Sequence, residues 1–302
     1  MSELLEKIHP DGPEVSRVSV GMLRLPEWDY SKKELAEYIE ACIELGVTTI
    51  DNADIYGEYE SQPILGEMLK DNPGIRKKIQ LTSKCGNVLT SENKPSHEVN
   101  HYNLTKEHIR DSVETTLKDL HTDYLDLLML HRPSPLMVIE DVAEVLTKLV
   151  DEGKTKHVGV SNFTPRQFDW LQSYLDIPLV TNQVQASLLH TEPLFNGVFD
   201  HLQENGIKPM IWSPLNGGEL FEGKEDKSVR VRIELIKLAE KYECTFDVIA
   251  LGWLFQLPVQ PFPVVGTSQI LHIEKAVKAS KMDLDRQDWF KLLEASLGEP
   301  VP

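Results

Sequence analysis

Val47-Thr48-Thr49-Ile50-Asp51-Asn52-Ala53-Asp54-Ile55-Tyr56-Gly57 decides how this chain is read. A β-branched run from Val47 to Ile50 gives way at Asp51 to polar and turn-forming residues, and Tyr56 and Gly57 close the segment. A run of that kind, bounded by turn residues, reads as a buried strand ending in a loop. A carboxylate at the mouth of a strand with a tyrosine shortly after it is either half of a catalytic pair or an ordinary strand end whose Asp caps the next helix. The neighbouring segments decide between the two.

Immediately upstream, Ser31 to Leu45 reads as a helix: Ser31 is an N-cap with Glu34 three residues on, Leu35, Ile39 and Ile43 recur at helical spacing, and Gly46 stops it. Before that, Val15 to Leu25 reads as one strand containing Gly21, and Ile8 and the Val15 region flank Asp11-Gly12 as a small hairpin. Downstream, strands are expected at Ile79–Ser83, Tyr124–Leu130, His157–Val160, Pro178–Asn182, Lys208–Trp212 and Pro263–Val265. Helical segments fall between them: through Leu65 and Leu69, then 105–120, 136–152, 164–175, 193–205, and the pair 229–242 and 246–256. Two more helices, 269–279 and 285–295, follow the last strand. Strands alternating with helices imply right-handed parallel crossovers. Eight such units in roughly 250 residues or more make an α/β fold of the (β/α)8 TIM-barrel type, here with an N-terminal β-hairpin and extra C-terminal helices. An open doubly wound sheet fits less well, because no G-x-G-x-x-G follows the first strand. No composition shift or linker divides the chain, so residues 1–302 are expected to form a single domain.

Composition narrows the function. Hydrophobic residues make up 41% and charged residues 26% of 302, a globular balance. The net charge of -17 argues against nucleic acid and anionic membranes as partners, since both call for basic surface. It leaves room for a small phosphorylated ligand held by backbone N–H groups at helix starts. Cys42, Cys85 and Cys244 are too few and too scattered for a disulfide framework, and no signal peptide or membrane-length apolar run is present. A cytoplasmic protein, monomeric or weakly oligomeric, is expected.

In a barrel the residues just past the strand C-termini converge on one rim. Here those positions are Asp51 with Tyr56, Lys84, His131, Ser161-Asn162, Gln183, Trp212-Ser213 and Gly266-Thr267-Ser268. An acid, a phenol, an ammonium and an imidazole on one rim suggest proton donation to a carbonyl oxygen. A free phenol, with pKa about 10, is a weak acid at neutral pH. A neighbouring ammonium favours phenolate and lowers that pKa. A carboxylate keeps the ammonium charged and placed, and a histidine binds the substrate oxygen or relays the proton. Hydride from a nicotinamide would complete the reduction of an aldehyde or ketone.

The sequence resembles the aldo-keto reductase family, of the bacterial predicted-oxidoreductase type, over nearly its whole length. Asp51-Asn-Ala-Asp-Ile-Tyr56-Gly57 resembles the family's D-x-A-x-x-Y-G motif. Lys84 in Leu-Thr-Ser-Lys and His131 in Leu-Leu-Met-Leu-His-Arg-Pro complete its tetrad, and Gly159-Val-Ser-Asn-Phe163, Asn182-Gln183-Val-Gln185 and Trp212-Ser-Pro-Leu215 match further segments. The resemblance implies Tyr56 as proton donor, Lys84 and Asp51 as the groups that tune it, and His131 as the group that orients a small carbonyl substrate. It implies Ser161, Asn162 and Gln183 on the nicotinamide carboxamide, Trp212 on the ring, Ser213 and Leu215 at the pyrophosphate, and Gly266, Thr267 and Ser268 at the adenosine phosphate. Gly21 and Met22 are expected where the first strand meets the cofactor, and Trp28 as a pocket wall. NADPH is the expected cofactor. The chain departs from the family where a basic residue and a later arginine usually hold the 2'-phosphate: Gly266 and His272 stand there, and Lys275-Ala276 replaces a Glu-Asn pair. Thr267, Ser268, His272 and Lys275 are the expected substitutes, and NADH is the alternative. The chain also stops at Pro302, soon after the last helix, so an open substrate pocket is expected.

His97-Glu98-Val99-Asn100-His101 spells the zinc-protease pattern, but it lies in a polar loop and not on a helix, and its expected place is the border of the pocket, with no metal. Cys85 reads as a small buried residue, Trp289-Phe290 as helix packing and Asp54 as a turn residue. A non-catalytic nicotinamide sensor on the same fold is the rival to an enzyme, and the complete tetrad favours turnover.

Overall fold

The computed structural model describes residues 4–301. The chain runs β1 (Leu5–Lys7), β2 (Glu14–Ser16), β3 (Ser19–Gly21), α1 (Lys32–Glu44), β4 (Thr49–Asp51), α2 (Tyr56–Tyr59), α3 (Ser61–Asp71), α4 (Pro73–Arg76) and β5 (Gln80–Cys85). The short β6 (Asn87–Val88) and β7 (His101–Tyr102) precede α5 (Lys106–Asp119), β8 (Leu127–Leu130), α6 (Ile139–Asp151), β9 (Val158–Ser161), α7 (Pro165–Gln172), β10 (Leu179–Gln185) and α8 (Val198–Glu204). Then follow β11 (Met210–Trp212), α9 (Glu219–Glu222), α10 (Asp226–Lys241), α11 (Phe246–Phe255), β12 (Phe262–Val265), α12 (Ile270–Ala279) and α13 (Arg286–Leu297).

Strands β3, β4, β5, β8, β9, β10, β11 and β12 close in that order into a parallel barrel, with β12 pairing back onto β3. The fold is a (β/α)8 TIM barrel, and each expected strand has its counterpart. The stretch from Val15 to Leu25, however, is not one strand. Its start, β2, pairs antiparallel with β1, while β3 joins the barrel. The expected helix 193–205 begins only at Val198, because Pro193 lies in a short 3-10 turn and Gly197, at φ 84°, resets the backbone. The expected helix at 136 begins at Ile139, leaving Leu136 exposed. Ser31 and Glu34 form the capping box that starts α1.

The hairpin is the barrel's stopper. Ile8 and Val15 belong to one buried cluster with Leu127, Met129, Val180, Met210, Phe262 and Val264, all residues of barrel strands. Arg17, just past the hairpin, lays its guanidinium over the Phe262 ring at 4.8 Å and donates to the Gln260 carbonyl at 3.2 Å. A second, larger core lies between the strands and the helix ring. Trp253 and Trp289 stack at 4.9 Å within it, which places Trp289 in the packing of α13. With the bottom sealed, the open rim at the strand C-termini is left for chemistry. No helix among the described residues is long and apolar enough to cross a membrane.

Candidate active site

Adjacent strands deliver the tetrad. Asp51 is the last residue of β4, Lys84 lies near the end of β5, and His131 follows β8. Tyr56 comes from the turn after β4, its N–H bonded to the Ala53 carbonyl at 3.1 Å. Lys84 Nζ donates to Asp51 Oδ1 and Oδ2 at 2.8 and 2.7 Å, to the Asn52 carbonyl at 3.0 Å and to Tyr56 Oη at 3.0 Å. Thr82 and Gln183 also donate to Asp51 Oδ1, at 3.1 and 2.9 Å. Asp51 and Lys84 are each only 1% exposed. The Tyr56 and His131 rings meet edge to face at 6.0 Å.

Burial governs the proton affinities. Desolvation raises the Tyr56 phenol above its ordinary value and outweighs the opposing pull of Lys84. On residue types alone the ammonium is expected to win; enclosure of the phenol reverses the sign, because removal from water penalises phenolate. Tyr56 therefore holds its proton at neutral pH. For Lys84, burial pulls the pKa down, but the Asp51 carboxylate and Tyr56 more than offset it, so the net direction is up and the ammonium persists. His131 goes well below its ordinary value, first through burial, then through the positive charges of Lys84 and Arg132. It is a neutral imidazole, and its buried Nδ1 has no hydrogen-bond partner among the described residues.

Beside the tetrad, Ser161 Oγ donates to the Gln183 carbonyl at 2.7 Å. Asn162 Nδ2 donates to Ser161 Oγ at 2.9 Å and to the His131 carbonyl at 3.1 Å, and its Oδ1 accepts from Trp212 Nε1 at 3.0 Å. The indole is thus tied to the backbone of the candidate catalytic histidine. Asn162 and Ser213 both hold positive φ, 61° and 50°. Left-handed backbone at two non-glycine strand ends is costly and typical of functional sites.

These residues line a cleft of about 1810 Å3. Single-ligand pockets are commonly about 300–1,000 Å3, so the cleft has room for an extended dinucleotide as well as a substrate. Its floor is bare where β3 meets β12: a Cβ on Gly21 would come within 2.9 Å of Val264 Cγ1 and 3.7 Å of the Gly266 backbone. Ser213, Leu215, Gly266, Thr267 and His272 line it too. Ser268 and Met22 do not; Met22 is fully buried, with its carbonyl accepting from Ser61 Oγ at 2.9 Å. Trp28, expected as a pocket wall, does not line the cleft either. Its ring packs on Tyr30 and Tyr38. These tyrosines donate to the carbonyls of Ser268 and, at 2.5 Å, Thr267, while Arg24 Nη2 donates to the Gly266 carbonyl at 3.0 Å. Three consecutive carbonyls after β12 are thus tethered, two from the segment between β3 and α1 and one from α1 itself, and Trp28 buttresses two of the tethers.

Of the expected 2'-phosphate substitutes, His272 bonds Thr267 Oγ1 at 3.0 Å, and Lys275 is engaged by Asp247 at 3.0 Å. Lys278, not among the expected cofactor contacts, lines the cleft without an ion-pair partner among the described residues. Its spacing from Lys275, about one helical turn, was the available signal.

Asp54 has a second role that its turn position does not reveal. It lies in a turn, as expected, but an enclosed one: its N–H bonds the Lys84 carbonyl at 3.1 Å, Ser112 Oγ donates to its Oδ2 at 2.7 Å, and its buried Oδ1 has no partner among the described residues. Desolvation pushes its carboxyl up to about 7. A raised folded pKa means that the native state binds the proton more tightly than the unfolded chain does. The associated stability is complete below pH 3.8 and is lost as pH rises through about 7. The wild type should therefore lose up to about 4 kcal/mol relative to Asp54→Asn between pH 4 and pH 8. Urea unfolding at both pH values measures this, and parallel pH dependence in the two proteins would refute it.

Cys85 is 1% exposed, and burial holds its thiol well above the ordinary range. His97 turns to the Leu89 carbonyl at 3.0 Å, whereas Asn100 and His101 border the cleft from the loop that ends in β7. The two histidines share no helix.

The family model for the aldo/keto reductase family matches residues 17–296, and the chain belongs to that family. It is a carbonyl-reducing oxidoreductase, and members of the family use nicotinamide cofactors. The chain is 42% identical to oxidoreductase YdhF of Escherichia coli (strain K12) over 296 residues, covering 98% of each protein. It is likewise 42% identical to a 6-dehydroglucose reductase of Agrobacterium fabrum over 292 residues, covering 96% of this chain and 97% of that one. Among solved structures, the thermostable aldo-keto reductase Tm1743 in complex with the inhibitor epalrestat superposes with a TM-score of 0.79 at 26% identity, covering 97% of this chain and 99% of that chain.

Proposed function

We propose that the protein reduces aldehydes or ketones to alcohols with NADPH, using Tyr56 as the proton donor. The observation that carries this reading is the buried Lys84 ammonium, 3.0 Å from the phenol oxygen and clamped by Asp51. The carbonyl oxygen would sit between Tyr56 and neutral His131. As negative charge develops there, Tyr56 passes its proton across, and the fixed ammonium stabilises the phenolate left behind. Burial raises the cost of losing that proton at rest, and Lys84 lowers it during transfer. A bound nicotinamide supplies hydride. Asn162, Ser161 and Gln183 would hold its carboxamide, with Trp212 against its ring. The bare floor at Gly21 and Gly266 gives the dinucleotide room, and the tethered 266–268 backbone, His272 and Lys278 would receive the adenosine end. The 6-dehydroglucose reductases among the relatives bring sugar-type carbonyls within range of this site.

Quenching of tryptophan fluorescence through Trp212 reports cofactor binding directly. NADPH should bind at least tenfold more tightly than NADH, the equivalent of about 1.4 kcal/mol. A panel of small aldehydes and ketones should then oxidise it. Tighter NADH binding would refute the cofactor choice, and no turnover of any carbonyl with either cofactor would favour the sensor.

A further inference from the structure

Residues 89–100 form a flap beside the reaction centre, and the flap is fastened to the segment that carries Tyr56. Its two ends are joined by the ladder of β6 and β7, Asn87 opposite Tyr102 and Val88 opposite His101. Leu89 and Asn100 line the cleft, so the flap is one of its walls. Among the described residues, the hydrogen bonds that reach from the flap to other segments fall on Glu58 and Tyr59. Tyr59 Oη accepts from the Leu89 N–H at 2.7 Å and donates to the Leu89 carbonyl at 3.0 Å. Ser91 Oγ donates to Glu58 Oε2 at 3.1 Å, and Asn93 Nδ2 to the Glu58 carbonyl at 2.9 Å. The His97 ring meets the Tyr59 ring edge to face at 5.9 Å, and Lys94 Nζ stands 5.3 Å from the centroid of that ring.

The receiving segment is strained. Gly57, Glu58 and Tyr59 hold φ of 56°, 55° and 74°, left-handed residues in a row of which only the first is glycine. Other residues reach that conformation at a cost and keep it only where their surroundings over-determine it. At Glu58 and Tyr59 the flap supplies those surroundings. The turn begins directly after Tyr56, so whatever fixes the turn also fixes the base of the phenol. Leu89 closes the circuit: its side chain, like that of Tyr59, packs against the cluster of Ala53, Ile55 and Tyr56. One hydroxyl, on Tyr59, thus grips both polar groups of the residue that walls Tyr56 on the flap side.

Resting on the reductase reading above, we propose that Tyr59 is a positioning residue for the reduction: its hydroxyl latches the flap shut, and the latched flap holds Leu89 against Tyr56, keeping the phenol in place and shielded from water. No residue of the flap is among the proposed cofactor contacts, so the latch acts on the chemical step and leaves cofactor binding alone.

Tyr59→Phe keeps the ring and removes the latch. Amide hydrogen exchange over residues 89–100 should quicken by about tenfold, since one peptide loses the partner of both its N–H and its carbonyl. In single-turnover reactions with NADPH and saturating glyceraldehyde or propanal as probes, the rate of NADPH oxidation should fall by about tenfold at full amplitude. The NADPH dissociation constant and the KM of the aldehyde should hardly change. A merely structural role would instead lower the amplitude, because part of the protein would be inactive, and leave the rate of the remainder as it was. Ser91→Ala combined with Asn93→Ala removes the flap's bonds to Glu58 without touching the interior, and it carries the test should the phenylalanine variant fail to fold. It should move exchange and rate in the same direction by a smaller factor. Unchanged exchange would overturn the latch, whether or not any carbonyl is turned over. Faster exchange with an unchanged rate, or a loss confined to amplitude or to KM, would overturn the positioning role. No oxidation of NADPH by either aldehyde in the wild type would strike at the reductase reading, and with it the positioning role, and the latch would then stand or fall on exchange alone.

Discussion

Tyr56→Phe should bind NADPH as tightly as the wild type and lose roughly 10²- to 10⁴-fold in kcat for carbonyl reduction, the usual contribution of a placed general acid. The substitution removes one oxygen and leaves the ring in place. The contacts that hold the ring survive: Lys84 Nζ stands 4.7 Å from its centroid, and His131 meets it edge to face. Folding should change little, since the hydroxyl is bonded to Lys84, which keeps Asp51 and the Asn52 carbonyl as acceptors. The fluorescence titration separates binding from chemistry in one sample. A variant that binds cofactor and still turns over at the wild-type rate would remove Tyr56 from the mechanism.

Lys84→Met should cost comparably in kcat and also destabilise the fold by about 3–5 kcal/mol. Asp51 would remain 1% exposed, with only the Thr82 hydroxyl and the Gln183 amide to offset its charge. The double variant Asp51→Asn, Lys84→Met separates the two effects. Removing both charges together should restore much of the stability, because the buried ion pair is gone as a unit. It should not restore the rate, because the phenolate still lacks its ammonium. Recovery of both would show that Lys84 matters only for folding.

Much of the barrel was legible in the sequence because a parallel strand buried on both faces leaves a continuous apolar signature, and each helix between strands marks its start and stop. Ser31 with Glu34 and the stop at Gly46 are local signals that need no partner to be read. The missed features depend on partners distant in sequence. Val15 to Leu25 looks like one strand because nothing in its composition records that β2 pairs with the hairpin and β3 with the barrel. Asp54 is the turn residue it looks like, but nothing local records that Ser112 from α5 and the Lys84 carbonyl enclose it. Trp28 looks like a pocket aromatic until Tyr30 and Tyr38 claim its faces. In the site, Asp51, Lys84 and His131 were placed by strand ends alone. The direction of the Tyr56 shift was not, since it depends on how completely the phenol is enclosed.

The stopper has a consequence for biosynthesis. Ile8 and Val15 leave the ribosome long before Phe262 and Val264, which share their cluster. The interior of the barrel can therefore close only when the chain has been made through Val264. Until then the hairpin's apolar side chains have no permanent neighbours, and contacts of such long sequence separation form slowly. A nascent chain of this protein is thus committed to a period of exposure set by the speed of translation.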